Sequence, residues 1–292
     1  MTPYISEISG DTLKIGGIGN YSPEKTFDCG QCFRFEQSAD GAVTGIAHGR
    51  RLRIMRSGDA LEVSGISADE FENTFRRYLA LERDYDEIDR AIIDAAPDES
   101  SRRVMEEAVR VSAGIRILRQ DEWETLCSFI ISQNNNIPRI KKLVGALCCL
   151  CGERIGDDDY AFPDARAVYD AGEEKIFALR TGFRAKYIID AARRVATDGS
   201  FLPTVAACGS YSDADAMLRQ ICGVGPKVAA CTLLFGFGRT DAFPIDVWIR
   251  RVMQKYFPQG LDPAVWGDFA GIAQQYLFYY ERYVGGEREA DD

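Results

Sequence analysis

The hydrophobic period of this chain changes once, near residue 66, and that change limits the folds open to it. Before it, short runs alternate apolar and polar residues between glycines, over residues 12–15, 32–35, 43–47, 51–55 and 60–63. Such alternation belongs to half-buried strands, and the Gly49-Arg50 step between two of them suits a hairpin turn. From Ser67 the spacing becomes helical. Ala68-Asp-Glu-Phe71 reads as a helix start, and Phe71, Phe75, Tyr78 and Leu79 form an apolar stripe. Further helices are expected over 101–112, 121–132, 137–149, 165–171, 185–197, 212–220, 227–235, 247–255 and 263–280. The expectation is an α+β chain, with an antiparallel β domain over 1–66 and a mostly helical region over 67–292.

Composition narrows the function classes. Of 292 residues, 46% are hydrophobic and 27% charged, ordinary proportions for a globular protein. No apolar run approaches the roughly 18 residues that span a bilayer. The first ten residues carry Glu7, no basic residue and no apolar block, unlike a secretory signal. A soluble cytoplasmic protein with no membrane partner is expected. Nine scattered cysteines, an odd number, argue for reduced thiols over a disulfide framework. Cys29-Gly-Gln-Cys32 and Cys148-Cys149-Leu-Cys151 invite a zinc or redox reading. His48 is the only histidine, and small buried hydrophobes are the better account of these cysteines.

The formal net charge of −10 counts against general affinity for nucleic acid. The charges are unevenly spread, however. Acids cluster at 84–89, 157–159 and 287–292, whereas basic residues gather at Arg102-Arg103, Arg116 with Arg119, 139–142, Arg184 with Lys186, and Arg250-Arg251. A local basic face on an acidic protein can still hold DNA.

The segment richest in chemistry runs Leu218-Arg-Gln-Ile-Cys-Gly223-Val-Gly225-Pro226-Lys227-Val228. A helix ends near Gln220, the glycines make a tight turn, and Pro226 takes the favoured first position of a new helix. Such a helical hairpin, expected over about 213–235, aims backbone N–H groups of a helix N-terminus at an anion, with Gly223, Gly225 and Val228 as phosphate contacts. A plain corner between helices fits the glycines as well. Lys227 sits in the first turn, where the helix dipole disfavours a cation; burial there would favour a neutral, nucleophilic amine. A surface lysine touching a phosphate is the simpler alternative. Further on, Asp241-Ala-Phe-Pro244-Ile-Asp246-Val-Trp248 places Asp246 at a helix start after a proline. It reads as an N-cap, and the same carboxylate can stabilise positive charge on a sugar losing its base.

The hairpin with Lys227 and Asp246 resembles the helix-hairpin-helix DNA glycosylases, and more narrowly the 8-oxoguanine DNA glycosylases, from about residue 10 to about 280. The likeness also rests on Asp28-Cys-Gly30-Gln-Cys-Phe-Arg34-Phe, Ile117-Leu-Arg-Gln-Asp121 leading into Ser132-Gln-Asn134-Asn-Asn-Ile-Pro-Arg139, Gly182-Phe183-Arg184-Ala-Lys-Tyr187, and Gln274-Gln-Tyr-Leu-Phe278. The resemblance implies excision of 8-oxoguanine opposite cytosine in double-stranded DNA and strand cleavage by β-elimination. Lys227 would be the nucleophile and Schiff-base former, assisted by Asp246. Phe278 and Cys231 would sandwich the flipped base, Gln274 would read its Watson–Crick edge, and the Gly30 carbonyl would accept the N7–H that guanine lacks. Asn134 would fill the vacated space, Arg139 and Arg184 would bond the orphaned cytosine, and Phe183 would wedge into the stack.

The resemblance implies a monomer and requires no cofactor and no catalytic metal. Two departures stand out. Trp248 replaces the phosphate-contacting histidine of eukaryotic members, and Phe183 replaces their tyrosine. No cysteine follows Cys231, so the four-cysteine iron–sulfur loop of endonuclease III-like relatives is absent from the sequence. A glycosylase for alkylated purines would keep Asp246 without needing Lys227. A passive DNA-binding module would need only the glycine turn and the basic face.

Overall fold

The computed structural model describes residues 3–282; the acidic run at 287–292 lies outside the described residues. Six strands, β1 (Tyr4–Ser9), β2 (Thr12–Gly16), β3 (Phe35–Gln37), β4 (Val43–Ala47), β5 (Arg50–Ser57) and β6 (Ala60–Ser64), form one antiparallel sheet in the order β1-β2-β6-β5-β4-β3. A mostly helical body follows, so the fold is α+β. The turn between β4 and β5 is His48-Gly49, both at positive φ (49° and 71°), the geometry whose twist suits a two-residue hairpin.

Two elements of this region escape the alternation pattern. β1 is almost wholly exposed and buries no face that would enforce alternation. The short helix Pro23–Asp28 is set by the Ser22 cap, whose hydroxyl accepts from Lys25 N (3.2 Å), and by Pro23 at its start. The strand expected over 32–35 is instead an irregular segment, with β3 beginning only at Phe35. Buried Gln31 holds that segment: its Nε2 donates to the carbonyls of Thr26 and Arg116 (2.8 Å each), and its Oε1 accepts from Leu118 N (2.9 Å). These long-range bonds replace a strand ladder.

The inner sheet face, with Leu13, Ile15, Leu52, Ile54, Leu61 and Val63, packs against Phe27, Phe71, Phe75 and Tyr78 in one core. Residues beyond 66 therefore complete the sheet's core. A second, larger core is built around two helices, Glu122–Ser132 and Pro226–Phe235, which lie against each other and are buried along most of their length. The acidic run at 84–89 opens a helix, Tyr85–Asp94: Asp84 caps it, Asp86 and Glu87 suit its positive end, and Tyr85, Ile88 and Ile92 are its buried stripe. Helix Phe201–Ala207 was likewise not anticipated. The single helix expected over 263–280 is two pieces, a 3-10 segment Pro263–Phe269 and an α-helix Ala270–Tyr280, because Gly267 leaves the helical backbone (φ 49°, ψ −124°). Among the described residues, no helix is long and apolar enough to cross a membrane.

Candidate active site

Three helix ends and the side of a fourth helix meet at one cleft of about 750 Å³. The C-terminal end of Glu122–Ser132, the starts of Pro226–Phe235 and Val247–Tyr256, and the side of Ala270–Tyr280 supply its walls. Of the residues singled out from the sequence, Gly30, Asn134, Phe183, Gly225, Lys227, Val228, Cys231, Asp246, Trp248, Gln274 and Phe278 all line it. Gly223, Arg139 and Arg184 lie outside the lining.

The hairpin consists of helix Tyr211–Leu218, the glycine turn and helix Pro226–Phe235. Gly223 is held at φ 78° with the Tyr187 ring pressed against it, so a Cβ would both strain the backbone and overlap the ring. Gly225, the N-cap of the second helix, faces open space, which leaves its surroundings accessible to a phosphate. The Gly223→Ala variant is expected to lose about 1–3 kcal/mol of stability and weaken duplex binding with it. Thermal melting and a DNA titration check both.

Lys227 is half-buried. Its Nζ donates to Ser132 Oγ (3.2 Å) and lies 4.7 Å from the centre of the Phe129 ring. Two helix dipoles meet there: its own helix start opposes a cation, while the carbonyl end of Glu122–Ser132 favours one. The neighbouring Cys231 thiol is pushed up to about 11 by burial, against the lowering effect of Lys227, so it stays protonated at neutral pH. Asp246 caps its helix, with Oδ1 accepting from Ile249 N (2.9 Å), and also lines the cleft. Trp248 carries the Arg251 guanidinium 5.0 Å over its ring.

Across the cleft, Gly30 sits at φ 81° with Ile137 and Phe278 against it. Gln275 Nε2 donates to the neighbouring Cys29 carbonyl (2.9 Å) and so ties this segment to the last helix. Gln274 is 5% exposed, yet its Oε1 has no hydrogen-bond partner among the described residues. An amide oxygen buried without a donor is costly, and at a cleft wall it marks a place for a ligand N–H.

The remaining candidates form a second group at the cleft mouth. Asn134 is exposed at φ 51°, a left-handed backbone that asparagine tolerates better than most residues. Phe183 is 48% exposed beside the Tyr187 ring (5.8 Å). Exposed Arg139 donates to the Arg180 carbonyl (3.3 Å). Arg184 is held more tightly. It is buried, with Nε donating to Gln133 O (2.8 Å), Nη1 to Thr181 O (3.1 Å), and Nη2 to both Gln133 O and Asn134 O (3.0 Å for the latter). Most of its donors thereby hold the Asn134 loop.

Comparison with known proteins adds the family. Residues 18–126 match the model of the 8-oxoguanine DNA glycosylase N-terminal domain, and residues 127–262 that of the HhH-GPD superfamily of base excision DNA repair proteins. The structure of MBOgg1 in complex with a low affinity DNA ligand superposes with a TM-score of 0.89 at 39% identity, over 98% of this chain and 100% of that one. The Clostridium acetobutylicum 8-oxoguanine glycosylase/lyase, in complex with double-stranded DNA containing cytosine opposite 8-oxoG, gives 0.87 at 32%, over 100% of both chains. The chain belongs to the 8-oxoguanine DNA glycosylase family. The N-glycosylase/DNA lyase of Saccharomyces cerevisiae is 38% identical over 156 residues, 49% of this chain and 42% of that protein. The aligned regions cover between 42% and 65% of the first three curated relatives.

In this member of the 8-oxoguanine glycosylase family, sequence reasoning gave no role to four residues that shape the site: Phe129, Ser132, Gln31 and Gln275. All four act through contacts with distant parts of the chain, which no local pattern reveals.

Proposed function

We propose that this chain is a bifunctional glycosylase that removes 8-oxoguanine paired with cytosine in double-stranded DNA and then nicks the strand. The observation that carries the proposal is Gln274 Oε1, buried without a partner among the described residues in the same cleft as Lys227, Asp246, Gly30 and Phe278. A flipped base supplies the donor that this oxygen lacks, and the Gly30 and Phe278 walls suit its edge and face. The chemistry follows from what the side chains can do. The Lys227 amine bonds to C1′ as the glycosidic C–N bond breaks, its electrons leaving with the base, which takes up the proton shed by the nitrogen. The Asp246 carboxylate stabilises positive charge on the sugar. The sugar ring then opens: the nitrogen lone pair forms the protonated imine as the C1′–O4′ bond breaks, and O4′ takes up a proton. The imine acidifies the C2′ proton, and its loss expels the 3′ phosphate.

Recognition of the partner strand is assigned to Arg139, Phe183 and Asn134, with Arg184 behind them. Arg139→Ala is expected to reduce the preference for cytosine by about 1–3 kcal/mol. Excision rates on duplexes with each opposite base measure it. We read the enzyme as a monomer working on chromosomal DNA in the cytoplasm.

Borohydride trapping on an 8-oxoguanine:cytosine duplex tests the whole reading, with undamaged and alkylated-purine duplexes alongside. A covalent complex with the first duplex alone supports it. No complex with any duplex would sink the lyase assignment, and capture on the alkylated duplex would reassign the substrate.

A further inference from the structure

Resting on the reading of Lys227 as nucleophile, we infer that Ser132 is a positioning residue that orients the lysine's lone pair. Ser132 is the last residue of helix Glu122–Ser132, and its hydroxyl donates to the Phe129 carbonyl one turn back (2.8 Å). Such a bond is a common local habit of serine at a helix end and needs no lysine. What is not local is the second contact, from Lys227 Nζ at 3.2 Å across 95 residues of chain.

The two contacts together have a direction. A serine hydroxyl owns one hydrogen. Once that hydrogen is committed to Phe129 O, Oγ can only accept, so Lys227 must donate an N–H to it. In the neutral amine that donation turns the lone pair away from Ser132. Phe129 contributes twice, through the carbonyl that fixes the hydroxyl and through the ring lying 4.7 Å from Nζ. The ring blocks a second side of the nitrogen and offers no acceptor that competes for its protons. Ser132 Oγ takes one N–H, the Cys231 sulfur lies within hydrogen-bond reach of the other, and the Phe129 ring covers a further side, which leaves the lone pair to the cleft that these residues line. A lysine with four rotatable side-chain bonds gains most from such a constraint, because attack requires the pair to meet C1′ along one line.

The test compares Ser132→Ala, Ser132→Thr and Ser132→Val under single-turnover conditions. Borohydride trapping on the 8-oxoguanine:cytosine duplex reports imine formation, and titration of a non-cleavable tetrahydrofuran duplex reports binding. Removing one oriented hydrogen bond is expected to slow trapping roughly tenfold in the alanine and valine variants. Affinity for the tetrahydrofuran duplex should stay within about twofold of wild type, because the cradle at Gly225 is unaltered. Ser132→Thr, which keeps the hydroxyl, should recover most of the rate, whereas its isostere valine should not. Wild-type trapping by Ser132→Ala would overturn the inference while leaving Lys227 as the nucleophile. So would rate and affinity falling in parallel, or a threonine variant no faster than the valine one. Failure of the wild-type protein itself to trap would overturn the reading of Lys227 and this inference with it.

Discussion

Replacing Lys227 with glutamine is expected to abolish imine trapping and lower base excision by at least about a thousandfold, as removal of a nucleophile does elsewhere. Binding to the lesion duplex should survive. The groups proposed to hold phosphate are backbone N–H groups at Gly225 and Val228, and glutamine alters neither. Glutamine also preserves much of the lysine's length, so Phe129 and Ser132 keep a neighbour and the cleft does not collapse. Gel-based excision assays and fluorescence titration separate the two effects. Undiminished crosslinking by the variant would move the nucleophile to another residue. Equal loss of binding and excision would mean that the lysine serves chiefly as a phosphate contact.

The second large effect is expected outside the cleft. Arg34 leaves the sheet's edge and enters the helical body, where its Nη1 lies 3.5 Å from Glu124 Oε2 and its Nη2 donates to the Tyr160 carbonyl. The two side chains of the pair are only 8% and 17% exposed. Burial pushes the Glu124 carboxyl up from 4.5 to about 7, with Arg34 opposing the rise. The folded protein therefore holds a proton on Glu124 through a range in which the unfolded chain has released it. Stability contributed at this site is complete below about pH 4.5 and declines as pH rises through about 7. Arg34→Ala removes the compensating charge and should cost about 3–5 kcal/mol near pH 8. The deficit should shrink in acid, where the carboxyl becomes neutral. Adding Glu124→Gln to Arg34→Ala should recover much of the loss at the higher pH. Chemical denaturation across a pH series checks the sign, and a pH-independent deficit would show that lost packing dominates.

The parts of this molecule that were legible in its sequence are those fixed by near neighbours. Pro226 after two glycines, Asp246 after Pro244, and the β4–β5 turn each carry their geometry within a few residues. Lys227, Asp246, Gly30, Gln274 and Phe278 converge on one cleft, although only family spacing, and no local signal, brought them together beforehand. What stayed hidden follows the opposite rule. The segment at 32–35 looks like a strand by alternation, yet Gln31 ties it to Thr26, Arg116 and Leu118 instead. The helix at Tyr85–Asp94 hid because its acids were read as a charge cluster, although Tyr85, Ile88 and Ile92 keep helical spacing. The bonds that hold Arg184 against the Asn134 loop were hidden as well, because they depend on residues some fifty positions away.

Asp246 answers to two masters, and this narrows what its position can ever become. As the cap of Val247–Tyr256 it must be short enough for a side-chain oxygen to reach Ile249 N, a demand met by aspartate, asparagine, serine and threonine. As the proposed partner of a cationic sugar it must carry negative charge, a demand met by aspartate and glutamate. Only aspartate appears in both sets. A lineage drifting through asparagine would keep a folded, DNA-binding protein with its chemistry silenced. One drifting through glutamate would keep the charge and loosen the helix that presents it. No single-residue neighbour of aspartate satisfies both, so the site has no neutral path away from it.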